Sequence, residues 1–448
     1  MNVLKNHKTL ILSILTIALP AVIEMSLNTL VGIADTLMIG RMVGKEGLSA
    51  AGFANQLIFT LIFIFASFNT GATAMISRSY GEKNYEKLNK VAGQNLSLNI
   101  LIGIIIATFS ILFADKALGI YDISQEVFEL CLSYFTIVSY SIPFMFVSFS
   151  CAASLRGAGD TKTPMYVTGI TNVLNVIGNY VLIKGVWIFP SLGIAGAALS
   201  TTISRGIGVV IYLYVCFKGK NHIKLILSNL KIQYDLLKPL WQLSYPGAIE
   251  QFLMQVSFLA AGVIVSQLDT NSEAAFRILL NIESLSFMPA VGLSIAAATL
   301  VGKALGEEDV DKALKTGYTA TGLGIAWGIF MGILFFAFPK FLVGIFTKDM
   351  PIILGSVLAM RVAGFNQPPL NFMIILSGAL RGAGDTRAVM VISALRLWIM
   401  FVPLSYVFII LLHAGVAGMW FAEIASFSVF CYITFRRFHS KKWAEIRF

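Results

Sequence analysis

Five carboxylates stand inside long apolar runs of this chain: Glu24 and Asp35 in the first run, Glu250 in the seventh, Glu283 in the eighth and Glu423 in the twelfth. A charge in the middle of a bilayer costs about 2.5 to 3.5 kcal/mol on insertion scales, so each acid needs a reason to be there. Asn28 precedes Asp35 by seven positions and Glu24 precedes it by eleven. At helical spacing the three fall within about 20° of one meridian, giving the first helix a single polar stripe. In "TNVLNVIGNY", Asn175 and Asn179 are i and i+4 and share a face of the fifth helix. Thr201 adds a hydroxyl from the sixth. One carboxylate, two amide carbonyls and a hydroxyl are hard oxygen donors that suit a small cation such as sodium, with water completing the shell. Gln367 and Asn371 in the tenth run are further polar candidates, placed to line a cavity.

The elements that must position these residues follow from composition. Hydrophobic residues make up 57% of the 448 and charged residues 12%, whereas a soluble domain carries roughly 25% charged residues; mean hydropathy is +0.80. Twelve runs are long enough to cross a bilayer at about 20 residues each. They lie at roughly 10–39, 47–76, 91–114, 126–153, 164–186, 193–217, 238–266, 276–302, 316–343, 351–378, 388–411 and 415–436. Lipid offers the backbone no hydrogen bonds, and a barrel would show ten-residue alternation instead of unbroken runs, so the spans are helices. The expected fold class is an all-α polytopic membrane protein. Cys131, Cys151, Cys216 and Cys431 fall in the helices without paired spacing and read as small packing residues.

"LRGAGDT" occurs at Leu155–Thr161 and again at Leu380–Thr386, 225 positions on. "PAVIE" at Pro20 pairs with "PGAIE" at Pro246, "GEKNYEKLNK" at Gly81 with "GEEDVDKALK" at Gly306, and "GIAGAALST" at Gly193 with "GVAGMWFAE" at Gly415. A nearly constant offset means a doubled chain. Each half has six helices, so the halves are parallel repeats about an axis along the membrane normal. The expected division is residues 1–217 and 238–436 for the two bundles, 218–237 for a linker and 437–448 for a basic tail. The heptamer lacks the strand and glycine pattern of a dinucleotide loop and the Gly-Lys of a P-loop. It reads as a tight interhelical turn, with Arg156 and Arg381 at the inner membrane interface and Asp160 and Asp385 capping the next helix.

Of the 33 Lys and Arg residues, 23 fall at the termini and even-numbered loops and 7 at the odd-numbered loops; Arg205, Arg361 and Arg396 lie within helices. Both termini are therefore expected in the cytoplasm, and the net charge of +10 is explained by short loops facing anionic lipid, with no call for nucleic acid. Shifting the first-half polar residues by the local repeat offset takes Asp35 to Ala261, Asn175 to Met400, Asn179 to Leu404 and Thr201 to Glu423. A polar set kept in one half and erased in the other favours a dedicated site over shared packing. Glu24 and Glu250 are equivalent by symmetry, each four residues after a proline, and packing or hinge duty explains them as well as chemistry does. Glu250, Glu283 and Glu423 are equally placed to pair with Arg205, Arg361 or Arg396.

Twelve helices in two halves, "ADTLMIGRMVG" at the end of the first helix, the doubled "LRGAGDT" and the "GEKNYEK"-type loops resemble the multidrug and toxic compound extrusion (MATE) family over nearly the whole chain. The resemblance implies an antiporter of the plasma (inner) membrane, not an enzyme. It would export varied, often cationic and amphiphilic small molecules, driven by inward sodium or protons, without a cofactor and as a monomer. In that family an acid in helix 1, an Asn-x-x-x-[Asn/Asp] pair in helix 5 and a Thr in helix 6 resemble the ion site of the first half, and Asp35, Asn175, Asn179 and Thr201 fall on those positions. Some members use a glutamate in helix 7 with an aspartate in helix 10; Glu250 resembles the first, and helix 10 here has no acid. The alternative is a related two-half carrier that flips lipid-linked saccharides, for which the intrahelical arginines speak and the Asp35 set does not.

Overall fold

A computed structural model describes residues 2–186, 188–220 and 222–448, apart from the side chains of residues 2–7 and 63. Among the described residues twelve long helical elements follow one another: α1 Asn2–Met42, α2 Lys45–Gly81, α3 Tyr85–Leu112, α4 Gln125–Gly157, α5 Lys162–Lys184, α6 Gly193–Lys218, α7 Tyr234–Val265, α8 Thr270–Gly306, α9 Val310–Ala337, α10 Met350–Gly382, α11 Thr386–Leu411 and α12 Ala417–His439. Ten of them are long and apolar enough to cross a membrane, and α4 makes an eleventh as two pieces, Gln125–Ser139 and Ile142–Gly157, bent by 43°. α10 is long enough at 33 residues, but its middle reads Asn366-Gln367-Pro368-Pro369-Leu370-Asn371 and is too polar to pass on hydropathy alone. The twelve runs read from the sequence are these twelve elements.

The repeats are visible in local geometry as well as in letters. Asn84 caps α3 by accepting from the Lys87 backbone N–H at 3.0 Å, and Asp309 caps α9 by accepting from the Lys312 N–H at 2.8 Å. Each cap follows a residue in the left-handed region, Lys83 at φ 56° and Glu308 at φ 60°. The two heptamers turn at Gly159, φ 84°, and Gly384, φ 90°, where a side chain would be strained.

Contacts divide the chain into two units. One is Ile23–Ser244; the other is Met1–Val22 with Tyr245–Phe448. The contact boundary thus departs from the repeat boundary at the start of α1, because Ile14, Ile17 and Ala18 are buried in one apolar cluster with Ala290, Leu293 and Ala297 of α8. The residues after α12 belong to the same cluster: Trp443 is fully buried and its Nε1–H donates to the Phe438 carbonyl at 2.6 Å. Cys131, Cys151 and Cys216 are buried and Cys431 half-buried, all as free thiols in helices.

α11 departs from regular geometry. It runs as α-helix over Thr386–Leu395, as π-helix over Arg396–Phe401, as α-helix again over Val402–Tyr406 and as π-helix over Val407–Leu411. Its first-half equivalent, α5, is α-helical throughout.

Candidate functional site

Within the unit Ile23–Ser244, α1, α5 and α6 bring Asp35, Asn175, Asn179 and Thr201 together. The Asn179 Nδ2 donates to Asp35 Oδ1 at 2.6 Å and lies 3.5 Å from Asn175 Oδ1. Asn175 Nδ2 donates to Thr201 Oγ1 at 3.1 Å, and that hydroxyl donates back along α6 to the Ala197 carbonyl at 3.0 Å. The close approach of α5 and α6 comes from Gly178: a Cβ there would sit 2.4 Å from Ser200 Oγ, which itself donates to the Asn175 carbonyl at 2.8 Å. Asn175 and Asn179 are buried and Asp35 is half-buried.

The cluster has more acceptors than donors. With the Asn179 amide nitrogen committed to Asp35, its Oδ1 is left buried with no hydrogen-bond partner, and an unmet buried acceptor costs about 1 to 3 kcal/mol. A carboxylate, amide oxygens and a hydroxyl oxygen around such an atom fit a small cation. Arg205, on α6, acts on Asp35 only through its field; its Nη1 donates to Ser141 Oγ at 2.7 Å.

The rest of the α1 stripe does not join this group. Asn28 is exposed. Glu24 is buried and takes Arg156 of the first heptamer as its partner, Nη2 to Oε1 at 2.5 Å, with Thr168 Oγ1 at 3.5 Å. In the other unit Glu250 does the same with Arg381 of the second heptamer at 2.6 Å, with Ser393 Oγ donating at 2.8 Å. The arginines expected at the membrane interface therefore turn inward, because a buried acid needs a cation more than a guanidinium needs a headgroup. The signal for this was in the sequence: both members of the pair recur in both repeats.

The other acids also find partners different from those expected. Glu283 Oε1 accepts from Gln367 Nε2 at 3.0 Å and its Oε2 from Trp420 Nε1 at 3.2 Å. Glu423 Oε2 accepts from Asn366 Nδ2 at 2.5 Å. None of Glu250, Glu283 and Glu423 makes a salt bridge to Arg205, Arg361 or Arg396 among the described residues. Arg361 is exposed, with its guanidinium 5.4 Å from the Phe336 ring centroid, and that of Arg396 lies 4.3 Å from the Phe427 centroid. Gln367 and Asn371 are fully buried, so neither lines an open cavity; Asn371 Nδ2 donates to the Gln367 carbonyl at 2.8 Å.

Asp160 caps α5, accepting from the Thr163 N–H at 3.0 Å, but Asp385 makes no such cap and instead accepts from Arg437 Nε at 2.6 Å. One polar group escaped sequence reasoning altogether. Asn69, Asn95, Asn99 and Ser150 form a buried hydrogen-bonded network joining α2, α3 and α4. Its residues are spread over three helices, and only their shared type hinted at it.

An all-helical, multi-pass membrane protein with a doubled six-helix plan and buried acid–amide clusters is a carrier in class. A family model, MatE, matches residues 20–181 and again 246–407, one match per repeat, and the chain belongs to the MATE family of transporters. The probable multidrug resistance protein NorM of Thermotoga maritima is 33% identical over 437 residues, covering 96% of this chain and 93% of that protein. The probable multidrug resistance protein YoeA of Bacillus subtilis is 28% identical over 90% of this chain and 87% of its own length. In fold, the chain is similar to a MATE transporter solved in a bent conformation, TM-score 0.90 at 21% identity over 96% of this chain and 94% of that one. It is also similar to a MOP superfamily transporter from Pyrococcus furiosus, TM-score 0.88 at 21% identity over 96% and 95%.

Proposed function

We propose that this protein is a secondary active antiporter that exports cationic or amphiphilic drugs and toxic compounds in exchange for inward sodium or protons. Asp35, with Asn175, Asn179 and Thr201, binds the coupling ion. The observation that carries this reading is the buried, unpartnered Oδ1 of Asn179 beside the Asp35 carboxylate: an arriving cation gives that oxygen a partner and the carboxylate a counter-charge. The relatives named as multidrug resistance proteins support the export half of the reading.

Neutralising Asp35 removes a half-buried charge from the α1 face that meets α5. α1 then repacks, bending at Pro20, where the ring removes a backbone hydrogen bond from the helix. That repacking lowers affinity for the exported compound and resets the carrier. MATE structures similar in fold to this chain have been solved in a straight and in a bent conformation, and the existence of two such states supports this step. Each entering cation contributes about 2.3 kcal/mol per 100 mV of membrane potential. The excess of basic residues at the termini and in the even-numbered loops supports cytoplasmic termini and an inner-membrane location.

The test is drug or dye transport in vesicles under an imposed sodium or pH gradient, wild type against Asp35→Asn. Loss of gradient-driven transport in the variant is the expected result; wild-type rates under both gradients remove the coupling assignment. A strict requirement for a polyprenyl-linked substrate would replace the drug exporter with the lipid-linked saccharide flippase.

A further inference from the structure

A cavity of about 240 Å³ opens where the start of α7 lies against α3, within the unit Ile23–Ser244. Tyr234, Leu237, Lys238, Trp241 and Gln242 of α7 line it, together with Leu98 of α3. The five α7 residues follow the spacing i, i+3, i+4, i+7 and i+8, so they form one face of the helix. Hydrogen bonds hold the chain entering α7 against α3 at this point. Gln94, one turn before Leu98, donates from Nε2 to the Lys231 carbonyl at 2.7 Å, and its Oε1 accepts from the Gln233 N–H at 2.9 Å. Ser97 Oγ donates to the Leu230 carbonyl at 2.8 Å. Trp241 rests on Phe68 of α2, ring centroids 5.1 Å apart, yet 48% of it remains exposed. The walls of the cavity are thus set before any ligand arrives.

The cavity lies where both helices change from charged to apolar. On α7, Asp235 and Lys238 are followed by uncharged residues for the next eleven positions, as far as Ile249. On α3, Glu86, Lys87 and Lys90 precede the cavity, and no charged residue follows Leu98 before the helix ends at Leu112. This is the level at which headgroups meet hydrocarbon, where Trp and Tyr are enriched. From Leu98 the α3 surface continues through the exposed Leu101 and Ile105, at i+3 and i+7, as an apolar track leading away from the cavity. Lys238 is exposed and makes no ion pair or side-chain hydrogen bond among the described residues. Asp235, three positions before it, makes no ion pair with it and does not line the cavity. By the repeat offset of 226, Lys238 and Trp241 correspond to Leu12 and Leu15 of α1, so the shared framework requires neither the cation nor the indole.

We propose that this cavity binds an anionic phospholipid. Its phosphate meets Lys238 and the Gln242 amide, its glycerol backbone lies against Trp241 and Tyr234, and an acyl chain follows Leu98, Leu101 and Ile105. One lysine at headgroup level favours anionic over zwitterionic lipid by about five-fold. A soluble phosphate would find the same lysine but would leave the indole and the apolar track uncovered, which is why the surface fits a lipid. The inference uses neither the Asp35 cluster nor the exported compound, and it holds whether or not Asp35 couples transport.

Purified full-length protein is reconstituted in phosphatidylcholine vesicles containing increasing fractions of a lipid with brominated acyl chains, either phosphatidylglycerol or phosphatidylcholine, and quenching of tryptophan fluorescence is read. For a saturable part of the emission, brominated phosphatidylglycerol is expected to act at about five-fold lower mole fraction than brominated phosphatidylcholine. Trp241→Phe removes that part of the signal, and Lys238→Gln brings the two lipids level. Lys162→Gln, which removes an exposed lysine elsewhere in the same unit, leaves the preference intact. Equal quenching by the two lipids in the wild type overturns the proposal, as does an undiminished preference in Lys238→Gln or a saturable signal that persists in Trp241→Phe. An equal fall in Lys162→Gln and Lys238→Gln overturns it too, since general surface charge would then explain the preference. Loss of the preference on adding inorganic phosphate at constant ionic strength assigns the cavity to a soluble anion and removes the lipid.

Discussion

Glu24 and Glu250 occupy equivalent places in the two repeats and make the same bond, each to the arginine of its own "LRGAGDT". Eleven residues further along, equivalence ends: Asp35 joins two asparagines, while its counterpart Ala261 is fully buried among apolar neighbours. A second contrast lies in α2 to α4 against α8 to α10. Asn69, Asn95, Asn99 and Ser150 form a polar network in the first half, and the offset of 225 puts Ser294, Ala320, Gly324 and Ile375 in their places. There the Ile375 side chain lies over Gly324, where even a Cβ would meet its Cδ1 at 1.9 Å. The asparagine network of one half is replaced by close apolar packing in the other, where Ser294 donates to the Ile374 backbone carbonyl at 3.0 Å. What the repeats share is therefore framework, namely the glycine turns, the α3 and α9 caps and the Glu–Arg pair, and what they do not share is where their polar clusters lie.

That comparison can be broken by experiment. The largest expected difference is between Asp35→Asn, which abolishes stimulation of transport by a gradient, and Ala261→Ser, which leaves it intact; equal loss in both would erase the asymmetry. Breaking the shared framework has a different signature. Glu24→Gln and Glu250→Gln each leave a half-buried guanidinium short of its carboxylate, and each lowers stability by about 1 to 3 kcal/mol, read as similar falls in detergent melting temperature. A large fall in one alone would mean the pair is not common structure.

The heptamer glycines sharpen the contrast further. A Cβ on Gly382 would meet the Ala298 carbonyl oxygen at 2.1 Å, backbone that cannot step aside, whereas one on Gly157 would first meet the Ile76 side chain at 2.9 Å. Gly382→Ala is expected to cost about 1 to 3 kcal/mol or more and Gly157→Ala to sit at the lower end of that range; the reverse order in thermal unfolding would count against these packing distances. The smallest effect is at the caps. Asp160→Asn keeps a capping side chain and changes little, while Asp160→Ala removes the bond to the Thr163 N–H and costs about 1 kcal/mol. Asp385→Asn instead weakens the tie to Arg437 and is expected to loosen the end of α12, seen as faster amide exchange there.

The acid–amide cluster was legible because its parts are local signals: an intramembrane Asp35, an i,i+4 asparagine pair, and a second half lacking both. Thr201 was the weakest member on sequence alone, one hydroxyl among several in α6. The C-terminal cluster was not legible as a unit. Glu283, Glu423 and Gln367 each stood out, but nothing in the letters says that consecutive residues of α10 reach acids on α8 and α12, and Trp420 reads as an ordinary apolar residue.

Helix number, the doubled plan, the glycine turns and the α3 and α9 caps depend on runs, offsets and residues within a few positions of one another, so the chain alone determined them. Partner choice did not follow, because it depends on which faces of distant helices cross and at what height. Only the tertiary structure decided that Arg156 and Arg381 turn to Glu24 and Glu250, that Asp385 serves Arg437 instead of its own helix, and that Ile14, Ile17 and Ala18 of α1 pack with residues more than 200 positions away. The physical reason is that an ion pair is won by whichever opposite charge can approach within hydrogen-bonding distance away from water, and sequence spacing carries that information only along a single helix.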